Sequence, residues 1–352
     1  MSLTVKHLNA DATFLLTFEP LSPTPPSPGA PNGSFTILCD PWLSGTSEIL
    51  HPMFSVQDHT VPSCISSLDE IPEPDLVLIS QNKPDHCHKK TLCQLPSHGS
   101  KTLILAEPGA ARRIRSWKYF DPDKVHTMRR YKQRAFGPGN VRRIPIPAST
   151  PFGNPGEVTV ALMSKKHDIS GLHTAFGITY RPPTSWNPFG TSPTLLTPPD
   201  SPRSFQSTTT LTSYSSPGDR ALSVIFSPHG VSYSDIRPYA SSHLVTEAAL
   251  PLTAILHPFN RVQNPWWMGG NISTGLPGGL EIAQNLLARY WVSTHDEVKI
   301  LGGISVSKLC TELYRPEVVQ QLMAPHKGQL GTDVKVLDVG KDLHMGAWGT
   351  EI

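Results

Sequence analysis

The chain has 352 residues, a net charge of +2 and only 16% charged residues, so it carries no basic footprint for nucleic acid. Five cysteines, an odd number with no CxxC pair, exclude a disulfide framework and fit a reducing compartment. No window approaches 18 consecutive apolar residues, and the start Met1–Phe18 lacks a signal-like apolar core, which points to a cytoplasmic or nuclear protein without a membrane span.

In chain order, Leu3–His7 and Thr13–Phe18 predict a β-hairpin, and Ser34–Cys39 a third strand that stops at Asp40-Pro41-Trp42. Asp75–Ser80 is an apolar run that opens onto Asp85-His86-Cys87-His88, with a helix expected from about His88 to Leu95. Thr102–Ala106 reads as another strand and Pro108–Trp117 as a helix with Pro in its first turn. The Arg/Lys cluster between Arg129 and Arg143 reads as a solvated face. Strands Glu157–Met163 and Ala175–Arg181 bracket His167, Asp168 and His173. Ala221–Ser227 leads into Pro228-His229-Gly230, and Leu252–Leu256 into His257-Pro258. Gly279–Tyr290 has helical spacing, Trp291–Thr294 leads to His295, and Asp333–Val339 is the last expected strand.

Two segments depart from this patterning, and they hold much of the excess among 36 prolines. Residues 20–33 read as a Pro-rich insertion. Residues 182–219 are rich in Pro, Ser and Thr and nearly free of charge; they cannot bury enough apolar surface to offset their ordering entropy and are expected to be a disordered insertion. Because patterned segments flank both, the expectation is a single domain over residues 1–352.

The recurring motif is an apolar strand followed by a histidine, at His86, His229, His257 and His295. Loops at the carboxyl ends of strands are exposed yet held by a rigid scaffold, so this pattern predicts imidazoles converging on one sheet edge.

These residues resemble the metallo-β-lactamase superfamily, in its lactonase-like and phospholipase D-like branch. The early Asp40-Pro41-Trp42 turn matches that family, and Ser80–His86 lies in register with its His-x-His-x-Asp-His signature. In that register Gln81 and Lys83 occupy the two leading histidine positions, while Asp85 and His86 are retained, so the motif is degenerate. The family's third histidine falls at His167 or His173, its bridging aspartate at His229 and its final histidine at His295. The resemblance implies a four-layer αββα sandwich of α/β (α+β) class. It also implies two metal ions, of which the Gln81 and Lys83 substitutions remove one set of ligands.

What remains is a set for one divalent ion, Zn with Mn or Fe as alternatives: Asp85, His86, His229 and His295, with His167 or His173 as further candidates. Asp40 or Asp296 is expected to orient a ligand histidine. The implied activity is hydrolysis of an ester, lactone, amide or phosphodiester by activated water, with Asp85, Lys83 and His229 in catalytic roles and Lys83 partnering Asp85 or a substrate oxyanion. The partner is then a small-molecule substrate. The alternative is a catalytically inactive, metal-free binding or scaffold protein. Cys87 reads as a small buried residue. Thr197 and Ser201, in Leu-Thr-Pro-Pro-Asp-Ser-Pro, resemble a phospho-dependent site for a ubiquitin-ligase adaptor.

Overall fold

A computed structural model describes residues 1–20, 33–49, 51, 53–133, 139–150, 153–166, 168, 170–184, 220–325 and 331–346. Nearly all of both Pro-rich insertions lies outside these residues, as do His167, Thr197 and Ser201.

Two seven-stranded sheets carry the fold. The first runs Asp342–Gly346, Ser2–His7, Phe14–Glu19, Phe35–Cys39, Leu76–Ile79, Leu103–Ala106, Val125–Thr127. The second runs Asp333–Lys335, Tyr290–Val292, Ala254–Leu256, Leu222–Phe226, Thr174–Arg181, Gly156–Ser164, Arg142–Ile146. Each sheet has a parallel half and an antiparallel half. Alternation explains the packing. In Leu76–Ile79, Leu76 and Leu78 join Phe14, Phe176 and Val224 in a core shared by both sheets. Val77 and Ile79 face the other way, onto Ala110, Ala111 and Ile114 of the helix Pro108–Ser116. The second sheet repeats this, with Ile225, Ile255 and Trp291 packed against Ile236, Tyr239 and Ile282. A strand covered on both faces reads as a continuous or near-continuous apolar run, which is why LVLI and LSVIF, broken only by Ser223, stood out in the sequence.

Local chemistry sets the helix ends. Glu107 caps Pro108–Ser116 by accepting from the Gly109 and Ala110 amides at 2.8 and 3.0 Å, with Pro108 in the first turn, where its missing N–H costs nothing. The helix expected over His88–Leu95 is a single turn, Lys89–Leu92; Pro96 follows within four residues and disfavours helical geometry just before it. The helix expected over Gly279–Tyr290 is Gly275–Asn285. It ends before Leu287 at φ 50°, and Tyr290 already starts a strand. The last expected strand is shorter, Asp333–Lys335. The chain then returns as Asp342–Gly346 to pair with Ser2–His7, a polar edge strand that the apolar pattern did not predict.

The parallel halves position the site. Phe35–Cys39 and Leu76–Ile79 run parallel in one sheet, and Leu222–Phe226, Ala254–Leu256 and Tyr290–Val292 in the other. Their ladders continue into the loops: Asp40 N–H donates to Leu78 O, Ser227 N–H to Leu256 O, and His257 N–H to Val292 O. The loops are therefore pinned at their roots.

Candidate metal centre

Three imidazoles meet at these strand ends. One ligand nitrogen from each of His86, His229 and His295 lies within 4.8 Å of the others. The ring centroids are 5.0 Å apart for His86–His229, 4.9 Å for His86–His295 and 4.3 Å for His229–His295. His86 Nε2 and His229 Nε2 stand 3.1 Å apart.

The other ring nitrogens are all engaged, which fixes the tautomers. His229 Nδ1 lies 2.9 Å from the Ile272 carbonyl, an acceptor only, so it carries the hydrogen. His86 Nδ1 is 2.8 Å from Asp40 Oδ2, and His295 Nδ1 is 2.6 Å from Asp11 Oδ1. Each Nδ1 thus donates outward and leaves Nε2 for the cluster, the arrangement by which carboxylates and carbonyls orient metal-ligating histidines.

Asp40 is held as firmly as it holds. It accepts from the Ser80 amide at 2.7 Å and the Ser80 hydroxyl at 2.5 Å. Its φ of 40° lies in the left-handed region, as does that of His295 at 59°. Non-glycine residues there cost about 1–3 kcal/mol each, and such strain concentrates at functional sites. Asp11 sits in the loop of the first hairpin, fixed by Asn9, whose Oδ1 accepts from the Asp11 and Thr13 amides and whose Nδ2 donates to Trp42 O.

Asp85 stands beside the cluster. Its Oδ2 lies 3.6 Å from His86 Nε2 and accepts from Gln57 Nε2 at 3.0 Å; its Oδ1 is buried without a hydrogen-bond partner among the described residues. Gln57 comes from the small hairpin strand Ser55–Asp58. Between Asp11 and Asp85 lies Lys299, with Nζ 2.8 Å from Asp11 Oδ2, 4.0 Å from Asp85 Oδ2 and 3.5 Å from His295 Nδ1.

The electrostatics follow from burial and these neighbours. Burial pushes the Asp11 carboxyl up, but His295 and Lys299 outweigh it and hold it well below the usual range. Asp85 is also lowered: burial opposes, and His86 and Lys299 prevail. His86 is raised, because Asp85 and Asp40 outweigh its burial. His229 is driven well below the ordinary histidine range by burial and then by His295 and His86. Of the two facing rings, His86 is therefore the more basic and His229 the less.

The remaining sequence candidates lie as follows. His173 does not join the three rings; its Nδ1 and Nε2 each lie 3.0 Å from a carbonyl, of Gly230 and Asn271. Lys83 is half-buried and forms no ion pair among the described residues, so the cation beside Asp85 is Lys299 instead. Among the described residues Asp296 orients no histidine. It accepts from the Phe259 and Asn260 amides and the Ser293 hydroxyl, and its burial raises it to about 6. His257 does not join the three rings either; its Nδ1 lies 2.9 Å from Pro258 O and its Nε2 3.2 Å from Thr274 Oγ1. Cys87 is fully buried with its thiol pushed up to about 12 by burial, which removes it as a nucleophile at neutral pH. Asp11, Lys299 and Gln57 were missed. None of the three follows an apolar strand or a recognisable turn, so no local pattern marked them.

Residues 30–174 match the family model described as a beta-lactamase superfamily domain, a span that includes Asp40, Asp85 and His86 and ends before His229 and His295. An isothiocyanate hydrolase from Delia radicum gut bacteria is similar over 97% of this chain and 98% of its own, at 13% identity and a TM-score of 0.48. Igni18, a metallo hydrolase from Ignicoccus hospitalis, is similar over 98% and 99%, at 13% identity and a TM-score of 0.44. YhfI from Bacillus subtilis, a metallo-beta-lactamase fold protein, is similar over 97% and 99%, at 11% identity and a TM-score of 0.43. No curated protein matches.

Proposed function

We propose that this chain, a metallo-β-lactamase superfamily member through residues 30–174, is a hydrolase that uses one divalent ion held by His86, His229 and His295. The observation that carries this reading is the set of three buried imidazoles with every Nδ1 engaged outward and the remaining nitrogens turned on one another. Two imidazole lone pairs 3.1 Å apart repel unless a cation lies with them, and the partnerless Asp85 Oδ1 beside them is a further unused donor. The residues therefore fit a metal ion. Three nitrogens and a carboxylate suit Zn²⁺, with Mn²⁺ or iron as alternatives. When bound, such an ion supplies Lewis acidity that polarises the substrate and makes water a nucleophile near neutral pH.

The chain's own residues do the rest. His229, whose basicity burial suppresses and whose Nδ1 is engaged by the Ile272 carbonyl, presents its Nε2 to the cluster. Asp85 is an ionised carboxylate that Gln57 holds by one oxygen, which leaves Oδ1 to accept from water and aim it. Lys83, without an ion pair among the described residues, is the group left to meet a substrate oxyanion. A cleft of about 370 Å³, of small-molecule size, is bordered by Leu43, Gly45, Asp58 and His59, and Asp58 follows Gln57 in the chain. The substrate class is an ester, lactone, amide or phosphodiester. The test is a panel of chromogenic substrates of these four kinds, assayed before chelation, after it and after Zn²⁺ or Mn²⁺ is restored. Turnover that disappears and returns with the ion, and is lost in His86→Ala, supports the reading; equal turnover in the chelated protein and in His86→Ala contradicts it.

One observation favours a second reading, a metal-free binding protein. The His86–His229 contact can be closed by a single proton, and Lys299 already places a cation beside both carboxylates. Ligand binding that is unchanged by chelators, with no turnover on the panel, would support it.

A further inference from the structure

We infer that the substrate of the proposed hydrolase is an anion, drawn to the three histidines by a cationic face at the carboxyl end of the first sheet. The inference rests on the hydrolase reading and adds the substrate's charge to it. Charge is divided unevenly along the chain. Residues 81–143 hold 15 of the 30 Lys and Arg residues but only 4 of the 28 Asp and Glu, a net of +11 against −9 for the remainder. Asp85, one of those four acids, is buried beside His86. The fold then gathers part of this charge at one end. Leu76–Ile79, Leu103–Ala106 and Val125–Thr127 are parallel neighbours. Their ladder continues past the strand ends, Glu107 N–H donating to Ile79 O and Met128 N–H to Ala106 O. The segments leaving these adjacent ends carry Lys83 and Lys90, then Arg113, then Arg129. Lys90, Arg113 and Arg129 are exposed and Lys83 is half-buried, and none of the four forms an ion pair among the described residues. Arg130, by contrast, is neutralised by Asp235 at 3.0 Å. Arg113 turns toward the first of the three segments, where its Nη1 donates to Asn82 O at 2.7 Å, and that segment also delivers Asp85 and His86. Unpaired charges of one sign beside a site raise the local concentration and on-rate of the opposite sign by about 10–10³. Among the four bond classes, a phosphodiester carries negative charge on the reacting group itself. An ester, lactone or amide must carry it on a pendant carboxylate or phosphate.

The experiment compares substrates that share a leaving group, on the Zn²⁺-loaded protein: bis(para-nitrophenyl) phosphate, para-nitrophenyl hemisuccinate and the neutral para-nitrophenyl butyrate. Raising NaCl from about 10 mM to about 1 M shortens the Debye length from about 30 Å to about 3 Å. That should lower kcat/KM about tenfold for an anionic substrate and less than about twofold for the butyrate. The double variant Lys90→Glu/Arg129→Glu should lose as much at low salt, again for the anions only. Lys118→Glu, just past the far end of the helix Pro108–Ser116, should lose little. Whichever of the phosphate and the hemisuccinate responds identifies where the charge is carried. Calorimetric titration with bis(para-nitrophenyl) phosphate makes the same comparison without turnover. Salt and charge reversal that act equally on butyrate and anions, or that leave turnover and the phosphate's Kd unchanged, overturn the inference. Chelator-sensitive butyrate turnover would then leave the hydrolase reading standing. Anion binding with this salt and variant dependence, but no turnover of any substrate, supports the cationic face and sinks the hydrolase reading.

Discussion

His86 shows why single residues here act through their neighbours. Its ring is wholly buried, one nitrogen is committed to Asp40 and the other faces His229. Asp40→Asn keeps the size of the side chain but removes the charge that holds the His86 Nδ1 hydrogen. Metal affinity should fall by about 10–100-fold, the usual cost of losing such an outer partner. Isothermal titration of the purified variant measures this, and an unchanged Kd would show that Asp40 does not orient His86. The sequence disclosed His86, His229 and His295 because each follows an apolar strand, and Asp40 because its turn has a recognisable pattern. Asp11 and Lys299 carried no such mark: an Asp in a hairpin loop and a Lys after His295 are ordinary residues until the loops are folded together. The same limit misassigned the cation. Lys83 is close to Asp85 along the chain, whereas Lys299 reaches it only through the tertiary fold.

At the scale of elements, the turn after Leu222–Phe226 decides whether His229 can reach the cluster. Gly230 has a φ of 75°, and a Cβ on it would collide with the Thr274 hydroxyl and the His257 ring. Gly230→Ala should therefore cost about 2–6 kcal/mol, backbone strain and overpacking together. Gly171, at φ 65° with nothing within 4 Å of a Cβ, is the control; Gly171→Ala should cost only about 1–2 kcal/mol. Urea unfolding of the two variants distinguishes them, and equal losses would contradict the crowding at Gly230. Strands buried on both faces were apparent in the sequence, since their apolar runs need no periodicity to be seen. Element ends were less so. The single turn Lys89–Leu92 and the edge strand Asp342–Gly346 depend on a nearby proline and on a distant partner strand, neither of which hydrophobic spacing encodes.

The molecule as a whole carries its buried histidines as a pH dependence. Burial lowers His257 to about 4 and His88 to about 4, against about 6.5 in an unfolded chain. Between those values the unfolded state binds protons that the folded state refuses, so their stabilising effect is complete above about pH 6.5 and is lost as pH falls toward 4. Asp296, raised to about 6, works the opposite way, since there the folded state keeps a proton that the unfolded state releases. Between pH 7 and 5, His257→Gln should lose about 2 kcal/mol less stability than the wild type. Denaturant melts at the two pH values read this directly, and parallel losses would mean that His257 is not held neutral.

The proposed hydrolase rests on one divalent ion being held where the parallel ends of two sheets deliver three imidazoles to one point. Elemental analysis of the purified wild type and of His86→Ala, each incubated with Zn²⁺, Mn²⁺ or Fe²⁺ and then desalted, tests that most directly. About one equivalent in the wild type and none in His86→Ala is the expected result; a wild type that stays metal-free with all three ions would contradict it.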